Sequence, residues 1–259
     1  MSPESGPEST ATESGGPGMA GRLVRSFGRI IGIFFSPVAT FREIARAHDW
    51  FSPLLLLIIL SVGGTYLVSD KLDFQAMFTA QTESLVDQGL LQPEQGKEQV
   101  DAQVRFWDSW GMLVTQISIV VFTPLAVLAL ALVFWVGTNA FGGRITFGIT
   151  CSVLSYAFWA KGLEGLLRTV VLMGKEAVRA DLVPRVLLTN PQAFMPESAA
   201  GTALYSLAGN LNLFNLWFMA LVAVGLSEAG NLSRGAAAGL VLLLYGVWVG
   251  AAAGLAVLF

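Results

Sequence analysis

WFSPLLLLIILSVGGTYLVS, residues 50–69, decides the solvent in which this chain folds. These 20 residues carry no charge, and at 1.5 Å rise per residue they make about 30 Å of helix, close to the thickness of a bilayer's hydrocarbon. A helix satisfies its own backbone in lipid, so the run predicts a membrane span over residues 51–69. The rest of the chain has the same character. Of its 259 residues, 54% are hydrophobic and only 13% charged, where a globular domain is roughly 25% charged. Mean hydropathy is +0.64.

Charge spacing marks four further regions. Ser109 to Gly143 is uncharged, with its apolar centre over 112–136 and Pro124 inside it, a kink that membrane helices tolerate. Trp110 and Trp135 lie near its two ends, as interfacial aromatics do. Ile145 to Ala160 gives 16 uncharged residues, short for a perpendicular span, so the helix is expected to run on through Lys161, Glu164 and Arg168 over 147–172. Ser198 to Ser227 holds a span over 208–227, with Asn210, Asn212 and Asn215 at its entry facing other helices or headgroups. Gly235 to Phe259 adds 25 uncharged residues and a span over 235–257. The expected fold is all-α: a polytopic bundle of five transmembrane helices occupying residues 50–259. Five such regions exceed what the interior of a soluble protein of this size holds. A cleaved signal peptide is not expected either, because about 50 mostly polar or amphipathic residues come first.

Residues 1–21, rich in Ser, Pro, Gly and Glu, read as a disordered acidic tail. Residues 22–49 read as a basic amphipathic juxtamembrane segment. In it Arg22, Arg25, Arg29, Arg42 and Arg46 alternate with Phe27, Ile30, Ile31, Phe34 and Phe35, a pattern that suits an anionic membrane face. Ser36 and Pro37 suggest the start of a second short helix reaching Arg46. The arginines favour a cytoplasmic N-terminus, and an odd number of spans then puts the C-terminus on the opposite side. Between the first two spans, residues 70–109 are expected to form a polar helical outer loop, a surface hairpin opened in its second half by Pro93 and Glu94.

Few residues suggest chemistry. Lys161, Glu164 and Arg168 share one helical face, with Glu164 and Arg168 at ion-pair spacing. In hydrocarbon such groups mark a transport or proton path; near an interface they neutralise one another and anchor the helix. The interfacial reading is preferred, since only 16 apolar residues precede Lys161. His48 beside Asp49 is read as a boundary pair and the lone Cys151 as a small core residue. Gly235, Gly239, Gly246 and Gly250 stand at small-xxx-small spacings, for packing inside the bundle or between copies, with internal packing preferred. No nucleotide fingerprint is present, one histidine and one cysteine make no zinc site, and a net charge of -3 offers no basic field. No cofactor, nucleotide, nucleic acid or catalytic residue is therefore expected; the bilayer is the expected partner, with a protein or a second copy beside it.

The pattern resembles the Yip1-domain family in its bacterial form. The likeness lies in FFSPVATFREI (34–44), GLLQPEQ (89–95), the helix from Phe147 to Trp159, NLFNLWFMALVAVGLS (212–227) and SRGAAAGLVLLLYGVW (233–248), and spans about residues 30–258. It implies five membrane helices, a cytoplasmic N-terminus and no defined catalytic reaction. Eukaryotic members are associated with vesicle trafficking and small GTPases, but their DLYGP segment is absent and FFSPVATF (34–41) is its nearest counterpart. No GTPase-binding residue is carried over. The expected role is a membrane scaffold or interaction module in the bacterial inner membrane; the alternative is a small transporter or channel subunit using Lys161, Glu164 and Arg168.

Overall fold

The structure, a computed structural model, describes residues 18–196, 199 and 202–258. The acidic tail expected over 1–21 lies outside the described residues as far as 17; from Met19 the chain is helical. Two amphipathic helices come first, α1 (Met19–Phe35) and α2 (Pro37–Arg46). Pro37 takes the first helical position, where its missing N–H costs nothing, although the Ser36 side chain makes no capping bond. Gly32 lets the two helices fold back closely, for a Cβ there would stand 2.6 Å from Oγ1 of Thr40.

The apolar helices α3 (Phe51–Leu67), α6 (Met112–Ala140), α7 (Phe147–Ala157), α8 (Trp159–Met173), α10 (Leu213–Gly230) and α11 (Arg234–Leu258) form the bundle. Between α3 and α6, α4 (Phe74–Asp87) and α5 (Pro93–Phe106) make an antiparallel hairpin, with Gly96 against Thr82 and Phe74 stacked on Trp107 at 4.7 Å. Alpha5 does not end there: a π-helical turn at Trp107–Gly111 joins it to α6, giving one continuous helix of 48 residues, Pro93–Ala140. A short α9 (Ala203–Asn210) precedes α10. Two short strands, β1 (Leu72–Asp73) after α3 and β2 (Val178–Arg179) after α8, pair in parallel. Contacts of Leu57 with Gly162 and of Gly64 with Thr169 show that α3 and α8 also run parallel.

The expected five spans are not what the structure contains. Among the described residues three helices are long and apolar enough to cross a membrane: Pro93–Ala140, Leu213–Gly230 and Arg234–Ala252. The first expected span, 51–69, is a helix of 17 residues, about 26 Å and shorter than the hydrocarbon. Its start is pinned where Asp49 accepts from the Ser52 N–H, and its end turns into a 3₁₀ segment at Ser69–Lys71. The third expected span, 147–172, breaks at Phe158 into helices of 11 and 15 residues. All of Thr150 to Ala157 is buried, so α7 is a core helix surrounded by protein, apolar for packing and not for lipid. In the fourth, 208–227, the chain leaves α9 at Leu211 and restarts at Leu213. The helix lengths do not fix the side of the membrane on which each terminus stands, so the expected opposite placement has no support from a count of five.

The core joins both layers. Ile33, Phe41 and Ile44 from α1 and α2 are fully buried in the same cluster as Val153 and Leu154 of α7 and Val222 and Leu226 of α10. Phe41 and Val153 approach α10 at Gly225, where a Cβ would come within 2.4 Å of Val153. Small residues that pack inside the bundle include Gly225, Gly137 against Leu240, Gly162 against Leu57 and Gly64 against Thr169. Gly235, Gly239, Gly246 and Gly250 of α11 instead face open space, with no atom within 4 Å of an added Cβ among the described residues. Their spacing is right for close approach, but the face of α11 on which they stand is turned away from its neighbours.

Candidate functional site

Lys161, Glu164 and Arg168 occupy one face of α8, as their spacing requires, and the structure brings them into contact. Glu164 is the centre. Its residue is 3% exposed, whereas the Lys161 and Arg168 side chains remain 35% and 29% exposed. One carboxylate oxygen accepts from Nη2 of Arg168 at 2.7 Å and from Nδ2 of Asn212 at 2.8 Å. The other accepts from Nζ of Lys161, which also donates to Oδ1 of Asn215 at 2.9 Å. A buried carboxylate is tolerable only when its lone pairs are filled, and here three donors fill them.

The donors come from two helices. Asn212 is the N-cap of α10: its Oδ1 accepts the Phe214 N–H at 2.8 Å while its amide nitrogen reaches Glu164. Asn215, one turn on, donates to the Asn210 carbonyl, which also accepts from the Tyr245 hydroxyl of α11. The cluster thus fastens α8, the start of α10 and α11 into one knot. Asn212 was legible as an amide that needs a partner; that the partner is Glu164, 48 residues away, was not.

Beside this knot lies a cavity of about 680 Å³, a groove between α3 and α8. Leu57, Leu60, Phe158, Leu166 and Leu172 are among its apolar lining, with Gly63, Gly64, Gly162 and Gly165 and several Ser and Thr hydroxyls between them. Lys161 and Arg168 border it and Glu164 does not. The charged face therefore opens on a mostly apolar groove, and the acid is enclosed behind it.

The basic segment is split by burial. Arg22, Arg25, Arg42 and Arg46 are exposed, while Arg29 is 5% exposed and points into the protein, a correction to its expected place on the lipid face. Its guanidinium donates through Nε to Glu43 at 2.9 Å and through Nη1 to the Ala47 carbonyl at 2.9 Å. Burial works against its charge, but hydrogen bonds to Tyr156 and Glu43 outweigh that and hold its pKa above the ordinary arginine value. The Tyr156 hydroxyl in turn donates to Ser26, and Ser26 to Asp49. Asp49 is thereby a structural acceptor at the start of α3, and His48 lies against Gly148.

On the opposite side of α1 an apolar stripe faces outward. Val24, Phe27, Ile31 and Phe35 follow one another by three, four and four residues, and all are exposed. Arg25 stands between this stripe and the core-facing side, whereas Arg22 lies on the core-facing side and lines one cavity with Arg29. A helix with one face on the core, a second apolar face turned out and a cation between them has the form of an interfacial helix.

The Yip1 domain matches residues 31–256. This chain belongs to the Yip1-domain family. It is similar to "Membrane protein YknW" of Bacillus subtilis (strain 168), with 23% identity over 220 residues, 85% of this chain and 86% of that protein. No solved structure matches. This Yip1-domain protein is a multi-pass membrane protein: among the described residues three helices have the length and apolarity to cross the bilayer. Among the described residues no group of three or more His, Cys, Asp or Glu is placed to hold a metal ion.

Proposed function

We propose that this Yip1-domain protein is a noncatalytic scaffold of the bacterial inner membrane, which lays α1 in the headgroup layer of an anionic leaflet and presents the α1–α2 surface to a protein partner. The observation that carries the reading is the exposed stripe Val24, Phe27, Ile31 and Phe35, backed on the far side of the same helix by Ser26, Arg29, Ile30 and Ile33 in the core. Burying such a stripe in the acyl boundary is favourable by roughly 25 cal/mol per Å². Arginines beside it add about 1 kcal/mol each on an anionic surface. A transport role for Glu164 gains no support, because its carboxylate is enclosed by three donors and does not border the groove.

The test is to reconstitute the full chain in nanodiscs of phosphatidylcholine alone or mixed with phosphatidylglycerol, and to follow amide exchange along α1 and recovery of bound protein from membrane extract. Anionic lipid is expected to protect α1, and replacing Arg22, Arg25, Arg42 and Arg46 by glutamine is expected to remove that protection and weaken recovery of the same partner. Equal protection in both lipids, with no partner recovered, defeats the reading.

A further inference from the structure

The knot around Glu164 does not balance. Lys161 and Arg168 bring two positive charges to one carboxylate, and Asn212 and Asn215 are neutral, so the described residues of the cluster leave an excess of one positive charge. The excess stands at the wall of a groove that is otherwise uncharged and mostly apolar, with the hydroxyls of Ser61, Thr65, Thr123 and Thr169 among its lining, where an unpaired charge is expensive. Lys161 commits two of its three donors, most of what it has, to Glu164 and Asn215. Arg168 does not: a guanidinium has five N–H donors, its bond to Glu164 uses Nη2, and its enclosed Nε has no partner among the described residues.

We propose that the α3–α8 groove is a binding site for an anionic phospholipid, with the phosphate on Arg168 and one acyl chain lying along the groove toward Leu57 and Phe158. The orientation follows from the register of the two helices. Arg168 is level with Gly64, near the end of α3, where the chain turns into polar sequence at Asp70 and Lys71. Leu57 and Phe158 lie deeper, at the middle of α3 and at the α7–α8 break. A headgroup at the polar end and a chain toward the interior is the arrangement a phospholipid has in its own leaflet. The volume, about 680 Å³, lies in the usual range of ligand sites, roughly 300–1,000 Å³. Glycine keeps the groove open: Gly63 and Gly165 line it, and neither has an atom within 4 Å of an added Cβ. Phosphate fits the charge better than a neutral headgroup does, because it supplies both the missing negative charge and acceptors for the planar guanidinium.

The site is separate from α1, and the experiment keeps the two apart. The full chain in dodecyl maltoside is titrated with phosphatidylglycerol, phosphatidylcholine or inorganic phosphate, and the thermal midpoint is followed; a ligand that binds the folded state raises it. Phosphatidylglycerol is expected to raise the midpoint, and the other two are not. Gly165→Leu, which fills the groove without touching Glu164, is expected to keep the midpoint in detergent and lose the response to phosphatidylglycerol. Gly63→Leu, from the other wall, serves if Gly165→Leu does not fold. Arg168→Gln is expected to weaken the response by about tenfold, the scale of one charge-assisted contact. Neutralising Arg22, Arg25, Arg42 and Arg46 is expected to leave it intact. The proposal is overturned if a folded groove-filling variant responds like the parent, if phosphatidylcholine or inorganic phosphate serves equally well, or if the α1 substitutions abolish the response.

Discussion

Among the described residues charge is buried in two places, and the two are mirror images. At Glu164 an anion is buried at 3% exposure and its cations stay half in the open. At Arg29 a cation is buried at 5% and its anion, the Glu43 side chain, is 58% exposed. In both, the buried member collects bonds from more than one element: Glu164 from α8 and α10, Arg29 from α2, the Ala47 carbonyl and Tyr156 of α7. The difference teaches that the strength of each fastening belongs to its enclosed partner. The exposed partner has water as a substitute; the buried one has none.

Removing the buried groups tests this most strongly. Glu164→Ala leaves two cations and the Asn212 amide without their acceptor, and is expected to cost about 3 kcal/mol, read as a lower thermal midpoint and lower folded yield in detergent. An unchanged midpoint would break the comparison on its first side. Arg29→Ala removes the donor to the Ala47 carbonyl and a bond to the Tyr156 hydroxyl, which keeps Ser26, and frees Glu43 to water, so a smaller loss of about 2 kcal/mol is expected in the same assay. Asn212→Ala removes an N-cap together with one of the three donors to Glu164, for about 1–2 kcal/mol; amide exchange in the first turn of α10 should rise with it. Glu43→Ala is expected to cost about 1 kcal/mol, because it takes the counter-charge from the buried Arg29 guanidinium, which keeps the Ala47 carbonyl and Tyr156 as acceptors. A loss from Glu43→Ala as large as that from Arg29→Ala would show that burial does not set the asymmetry.

Charge spacing along the chain was enough to find the apolar regions and the lipid solvent, because the cost of a charge in hydrocarbon leaves long uncharged runs. It could not show where a run is interrupted. The break at Phe158 is a change in backbone geometry within an uncharged stretch, and α7 is apolar because eight consecutive residues are enclosed by other helices. The Lys161, Glu164 and Arg168 face was legible because it is local to one helix; its contacts with Asn212 and Asn215 depend on how α8 and α10 meet. Arg29 shows the same limit, since its inward turn is set by Glu43 and Tyr156, residues on other elements. The α11 glycines carry the right spacing, yet Gly225 and Gly137 hold the close contacts, because spacing identifies a smooth face but not what lies opposite it.

The π-helical turn at Trp107–Gly111 has a mechanical meaning. It changes the helix without severing it, so the polar hairpin and the α6 span are the two arms of a single lever of 48 residues, about 72 Å long at 1.5 Å per residue. Trp107 packs over Gly111 and stacks on Phe74 at the point where the arms meet. A load applied to the hairpin is delivered at that fulcrum to the span as tilt, with no slack linker in between to absorb it.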